Sequence, residues 1–141
     1  MKAVTICQPY PRLIMIGVKH AENRTWSTRY RGPLAIHAGK SRLYLVDDDE
    51  TEAIESGGPL VFGAVVALCT LAGCVHVSQI HCGMLDEQFP QLRDRAHCYG
   101  PFCWVLTDVR RLVTPLPWRG AQGLFDIPDD VLGAVDLEAP R

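Results

Sequence analysis

The chain has 141 residues, 48% of them hydrophobic and 21% charged, and a formal net charge of −2. That size and balance predict one domain over 1–141, with a core covering about two-thirds of its unfolded surface, and they exclude a uniformly basic polyanion binder. No apolar run approaches the ~20 residues of a membrane-spanning helix.

Residues 3–7 form a short β-type run. Pro9 suits the first turn of a helix whose apolar stripe is Leu13, Ile14 and Ile16, and Gly17 ends it. Residues 22–26 are compatible with a strand, which would put Glu22, Arg24 and Trp26 on one face and Asn23 and Thr25 on the other. Residues 26–32 follow as a turn or strand end. Residues 33–38 are a buried-strand candidate closed by Gly39, Lys40 and Ser41. Residues 41–56 are expected to be helical, with Gly57, Gly58 and Pro59 as a firm stop. Residues 61–77 are β-branched and interrupted by Gly63 and Gly73, so a bent strand or two bulged strands are expected. The stretch 78–100 is mixed, with short helices expected over 78–85 and 89–96. Residues 102–112 are another strand, Leu116 and 124–127 look like short closing strands, and Pro128 starts a last helical turn through Val135. The tail 136–141 is expected to be loose. Five to six short strands with Gly and Pro at the corners favour a mainly β fold with flanking helices (α+β), arranged as a small closed or nearly closed barrel.

Charge is unevenly spread. Residues 1–46 hold eight Lys or Arg against one acid, Glu22, whereas residues 47–58 hold six acids and no base. A cationic third beside an acidic cluster predicts a localised anion-binding face. The acidic segment itself could serve a protein partner, on composition alone. The six cysteines, at 7, 69, 74, 82, 98 and 103, include no Cys-x-x-Cys pair. Cys69, Cys74 and Cys103 sit in apolar stretches as small hydrophobes. His76, His81, Cys82, His97 and Cys98 lack zinc-ligand spacing, and no metal or cofactor is expected. The apolar part of residues 1–9 is too short for a secretory signal, so the expected compartment is the cytoplasm.

The densest chemistry lies in Gly17-Val18-Lys19-His20-Ala21-Glu22-Asn23-Arg24-Thr25-Trp26, between two apolar segments. Buried polar groups need partners, so this stretch is expected to wall a polar site held by an apolar scaffold. Lys19 can either cap the preceding helix or act on a ligand as a phosphate contact or a base of lowered pKa. Glu22 can hold Lys19 and Arg24 in place, accept from a nucleobase amino group, or serve as general base. Arg24, Arg29 and Arg31 offer planar donors to phosphate. Trp26 and Tyr30 are candidates for stacking on a base, with Trp26 as a core plug the alternative. Trp104 is expected in the core, and His37, mid-strand, is expected to be buried and hydrogen-bonded. Lys40 beside Gly39 suits an anion. Arg119 with Gly120, Gln122 and Gly123 could form an opposite cleft wall.

Several blocks together resemble one family. Cys7-Gln8-Pro9-Tyr10, then Gly17-Val18-Lys19-x-x-Glu22-x-Arg24, is similar to the opening of ASCH domains. Arg31-Gly32-Pro33-Leu34-Ala35-Ile36-His37-Ala38-Gly39-Lys40 resembles the second block. Gly63-Ala64-Val65-Val66-Ala67, Gly100-Pro101-Phe102-Cys103-Trp104-Val105-Leu106 and Arg119-Gly120-Ala121-Gln122-Gly123-Leu124 resemble the later ones. The resemblance implies a PUA-like β-barrel with a cleft that binds single-stranded RNA or a modified nucleotide. In such a cleft, the side-chain chemistry above leads us to expect Lys19, Arg24, Arg29, Arg31 and Lys40 at phosphate, Trp26 or Tyr30 stacked on a base, and Arg119 and Gln122 on the opposite wall. Some members are hydrolases, of N4-acetylcytidine or of RNA, and would use Lys19. The amidohydrolase pattern has threonine three residues after that lysine, where this chain has Glu22. Thr25 lies three further on, and no downstream glutamate is assigned, because Glu87 falls in the mixed stretch 78–100. Lys19 and Glu22 are the catalytic pair that a hydrolase reading predicts.

Overall fold

The computed structural model describes residues 1–46 and 57–140. Six strands form one sheet: β1 (Lys2–Ile6), β2 (Ala21–Arg24), β3 (Gly32–Ala38), β4 (Ala64–His76), β5 (Phe102–Pro117) and β6 (Leu124–Asp126). Their order across the sheet is β2-β5-β4-β3-β1-β6. The β1–β3 pair is parallel and the other neighbours are antiparallel. Helix α1 (Tyr10–Met15) follows β1, α2 (Val77–His81) follows β4, and α3 (Asp129–Gly133) follows β6.

The two long strands curl the sheet. Their register shifts between Val65 and Ala67, Leu68 and Thr70, and Leu71 and Gly73. Each irregularity bends and twists the ladder, so a pair of 13 and 16 residues wraps around a core instead of lying flat. The edges, β2 and β6, do not pair with each other, and the result is a half-barrel. The segment expected as one bent or two bulged strands is the single bulged strand β4. Leu116 belongs to β5, which runs five residues beyond the expected end, because β4 offers it a continuous partner up to Pro117.

Inside the curl, Val4, Ile6, Ile14, Leu34, Ile36, Leu71, Trp104 and Leu106 form the main core. A second cluster on the outer face joins Ala3, Ala35, Val65, Leu112, Ile127 and Leu132. A third lies under the 77–101 excursion, where Ile80, Phe89 and Leu92 pack on Val105. Only a 3-10 turn at Pro90–Leu92 stands where a helix over 89–96 is expected. Positive φ angles at Arg95 and His97 interrupt helical geometry there.

Gly73 makes the third cluster possible. A Cβ at this position would stand 3.0 Å from Phe89 Cζ and 3.3 Å from its Cε2. Phe89 is buried and cannot swing away freely. Gly73→Ala is therefore expected to cost about 1–3 kcal/mol through overpacking. Denaturant unfolding checks this, and an unchanged midpoint would show that the ring yields.

Residues 41–46 make turn structure without a helix, and the rest of the stretch expected to be helical, with its acidic cluster, lies outside the described residues. The tail is held more firmly than expected as far as Glu138. Leu137 bridges Leu112, and the Glu138 carbonyl accepts from Arg110 Nη2 at 2.9 Å. No helix among the described residues is long and apolar enough to cross a membrane.

Candidate functional site

The Lys19 stretch folds as a turn followed by an edge strand. Gly17, at φ 80°, ends α1, and the Lys19 amide returns to the Leu13 carbonyl at 3.0 Å. Strand β2 then pairs with β5, placing Glu22 opposite Trp104 and Arg24 opposite Phe102. The alternation holds as far as Arg24. Glu22 and Arg24 share one face, while Trp26 lies beyond the strand end and is 38% exposed.

On that face Lys19 Nζ stands 3.7 Å from Glu22 Oε1, and Arg24 Nη2 is 3.2 Å from Glu22 Oε2. Lys19 is only 2% exposed and Glu22 7%. One carboxylate thus serves two cations, and its Oε1 also accepts from the Asn23 amide at 3.1 Å. Arg24 Nη2 donates to the Thr5 carbonyl at 2.7 Å, and its guanidinium lies 5.9 Å from the Trp104 ring. Burial pushes the Lys19 ammonium below its ordinary pKa, and the charge of Glu22 partly opposes that shift. His97 is also pushed down, first by burial and then by the charge on Lys19.

These groups wall a cleft of about 330 Å³ that also receives Cys7, Tyr10, Tyr44 and Tyr99. Lys19 Nζ sits 5.2 Å from the centre of the Tyr10 ring, and Tyr10 meets Tyr44 at 5.9 Å between centroids. Tyr44 and Tyr99 are well exposed. A charged floor with an aromatic rim can take a flat, polar ring, stacking its faces and hydrogen-bonding its edge.

Asn23 also lines this cleft and ties it to the 97–100 segment. Its Nδ2 donates to the His97 carbonyl at 2.9 Å, and its Oδ1 accepts from the amides of Tyr99 at 2.9 Å and Gly100 at 2.8 Å. This side chain fixes the end of the excursion that brings Tyr99 to the cleft.

A second cleft of about 720 Å³ adjoins the first. Thr5 lines both, and the second adds His37, Gly39, Lys40, Gly63, Trp118, Arg119 and Gly120. His37 is buried as expected, with Nδ1 3.1 Å from Thr5 Oγ1 and Nε2 2.7 Å from the Trp118 carbonyl.

Lys19, Glu22 and Arg24 are thus brought together, and Lys40 and Arg119 share the neighbouring cleft. Trp26, Arg29, Tyr30, Arg31 and Gln122 line neither. Trp26 packs edge-on against Trp104 with centroids 4.8 Å apart, Tyr30 donates its hydroxyl hydrogen to the Pro33 carbonyl, and Arg31 bonds the Thr28 and Tyr30 carbonyls. Trp26 as an interior plug is corrected to a half-exposed lid on Trp104. Thr25 and Glu87 are exposed and line neither cleft.

Sequence reasoning missed the three tyrosines and the pair Gln8 and Arg12. Arg12, counted with the cationic face, is 2% exposed and donates to the Gly58 and Pro59 carbonyls, both at 2.9 Å. Gln8 is wholly buried and donates to the Val61 carbonyl at 2.8 Å. The available signal was their position beside Tyr10 in the opening block. The six cysteines are free thiols, and no cluster of three or more His, Cys, Asp or Glu among the described residues could hold a metal.

A curled α+β half-barrel with a charged cleft beside its first helix defines a PUA-like domain. The ASCH domain family matches residues 4–116, and the chain belongs to that family. Activating signal cointegrator 1 from Homo sapiens is 22% identical over 137 residues, covering 91% of this chain and 22% of that protein. This chain thus spans about a fifth of that relative's length. The crystal structure of ASCH from Zymomonas mobilis superposes with a TM-score of 0.55 at 14% identity, covering 96% of this chain and 95% of that one. A point variant of the same protein gives 0.55 at 13% identity, covering 96% and 98%. At such identities the likeness is one of fold.

Proposed function

We propose that this domain binds single-stranded RNA or a nucleotide in the cleft floored by Lys19, Glu22 and Arg24. The observation that carries the reading is the buried Lys19 ammonium, held by one carboxylate and opening onto three tyrosines. A desolvated cation burdens the fold, and its position at a cleft floor fits a group kept for a ligand. Family membership supports nucleic acid as the ligand class. Tyr10, Tyr44 and Tyr99 replace Trp26 and Tyr30 as the stacking surfaces, and Arg24 presents its guanidinium beside them.

The test is binding of short fluorescent single-stranded RNAs by anisotropy across a salt series, for wild type and Lys19→Ala. Affinity is expected to fall steeply with salt, and to fall by about tenfold or more in the variant while its circular dichroism stays native. Absence of binding, or salt-insensitive binding, would sink the reading.

A second reading, hydrolysis of an amide or phosphodiester of a nucleotide, draws on the lowered pKa of Lys19. A lysine that loses its proton more readily can act as base, with Glu22 at 3.7 Å taking part in proton transfer. Turnover of N4-acetylcytidine or RNA by wild type, lost in Lys19→Ala, would favour it over simple binding.

A further inference from the structure

We infer that the second cleft is a phosphate subsite of the same ligand, so that the preferred ligand is a phosphorylated nucleotide whose sugar lies across Thr5. This rests on the binding reading above and adds a ligand class to it.

Three glycines shape the second cleft. A Cβ on Gly63 would stand 2.9 Å from Lys40 Cε, so the lysine stem lies directly over this residue. Gly63 also has a φ of +69°, which glycine adopts without strain. A Cβ on Gly120 would stand 2.8 Å from both His37 Cε1 and Thr5 Oγ1, and one on Gly39 would stand 2.9 Å from Thr5 Cγ2. The bare backbone brings the Lys40 and Arg119 segments close to Thr5 and keeps the cleft open between two exposed cations. A compact anion such as a phosphate group suits that setting, with Lys40 as a point charge and Arg119 as a planar donor.

Thr5 joins the two clefts chemically. The Trp118 carbonyl can only accept, so in the neutral imidazole Nε2 carries the hydrogen and Nδ1 accepts from Thr5 Oγ1. The threonine hydrogen is thereby committed to His37, and its oxygen offers lone pairs to a ligand. Its backbone carbonyl is held from the first cleft by Arg24. A sugar hydroxyl, which can donate, fits at this partition between a stacked base and a bound phosphate. Lys40 and Arg119 then act on the phosphate, while Lys19 and Arg24 face the base.

The experiment is calorimetric titration at low salt with the four ribonucleosides and their 3′- and 5′-monophosphates. At least one monophosphate is expected to bind about tenfold or more tightly than its nucleoside, with inorganic phosphate competing. In Lys40→Gln/Arg119→Gln, whose side chains are exposed, that advantage is expected to collapse while the melting temperature stays close to wild type. Equal affinity for nucleoside and monophosphate, or an advantage that survives the double substitution, overturns the phosphate subsite and leaves the first cleft standing. Failure of nucleosides, monophosphates and short RNAs alike overturns both readings.

Discussion

Glu22→Gln is expected to destabilise the fold by about 3 kcal/mol at neutral pH, a fall in Tm of about 10 °C. The substitution keeps the shape of the side chain and removes the one carboxylate between Lys19 and Arg24. Two cations then face each other across a largely dehydrated cleft floor. Breaking a buried pair from one side costs more than the pair contributes, because the remaining charge has neither water nor partner. The loss is also pH-dependent. Burial already holds the folded-state pKa of Lys19 below its ordinary value of 10.5, and Glu22 opposes that shift. Without Glu22 the folded value falls further. Between that lowered value and 10.5 the unfolded chain binds more protons than the folded one, so stability rises with pH across this window. The deficit of the variant is therefore largest at neutral pH and narrows as pH rises through this window and Lys19 sheds its charge in the folded state. Guanidinium unfolding of both proteins at neutral pH and inside the alkaline window measures it. A deficit that does not change would show that Lys19 is not the group left unopposed.

Trp104→Ala carries an even larger expected cost, about 3–5 kcal/mol. The ring is wholly buried in the main core, and no neighbour on the rigid β4–β5 ladder can collapse into the space. The damage reaches the cleft as well. Trp26 leans on this ring, Trp104 Nε1 donates to the Trp26 carbonyl at 3.4 Å, and Arg24 lies over its face. Trp104→Phe keeps an aromatic surface under Arg24 and is expected to recover most of the stability. Thermal melts of the three proteins separate these effects. An alanine variant within about 1 kcal/mol of wild type would show that the site collapses without a cavity.

How much was legible before the fold was known depends on the range of the interactions concerned. Alternation and apolar runs are local, so β1, β3 and the bulged β4 stood out, as did the buried Trp104 and His37. The grouping of Lys19, Glu22 and Arg24 was also legible, because a turn and a short strand suffice to bring neighbours in sequence onto one face. Tyr44 and Tyr99 were not, since they come from segments separated by more than fifty residues. Trp26 was half legible: its strand ends at Arg24, two residues before alternation could put it beside Glu22.

The sequence by itself determined an α+β fold of a recognisable family and placed its charged cluster after the first helix, because period-two patterning and adjacent polar groups are encoded within a few residues. Only the tertiary structure decided which cations share a cleft, because that depends on strand order and register. The curl of β4 against β5 brings Lys40 and Arg119 to Thr5, from positions far apart in the chain. The same packing turns Arg12 inward as a clamp for the 58–59 carbonyls and leaves Arg31 bonded to its own loop. Side-chain type sets what each of these residues can do, and long-range pairing sets which of them meet.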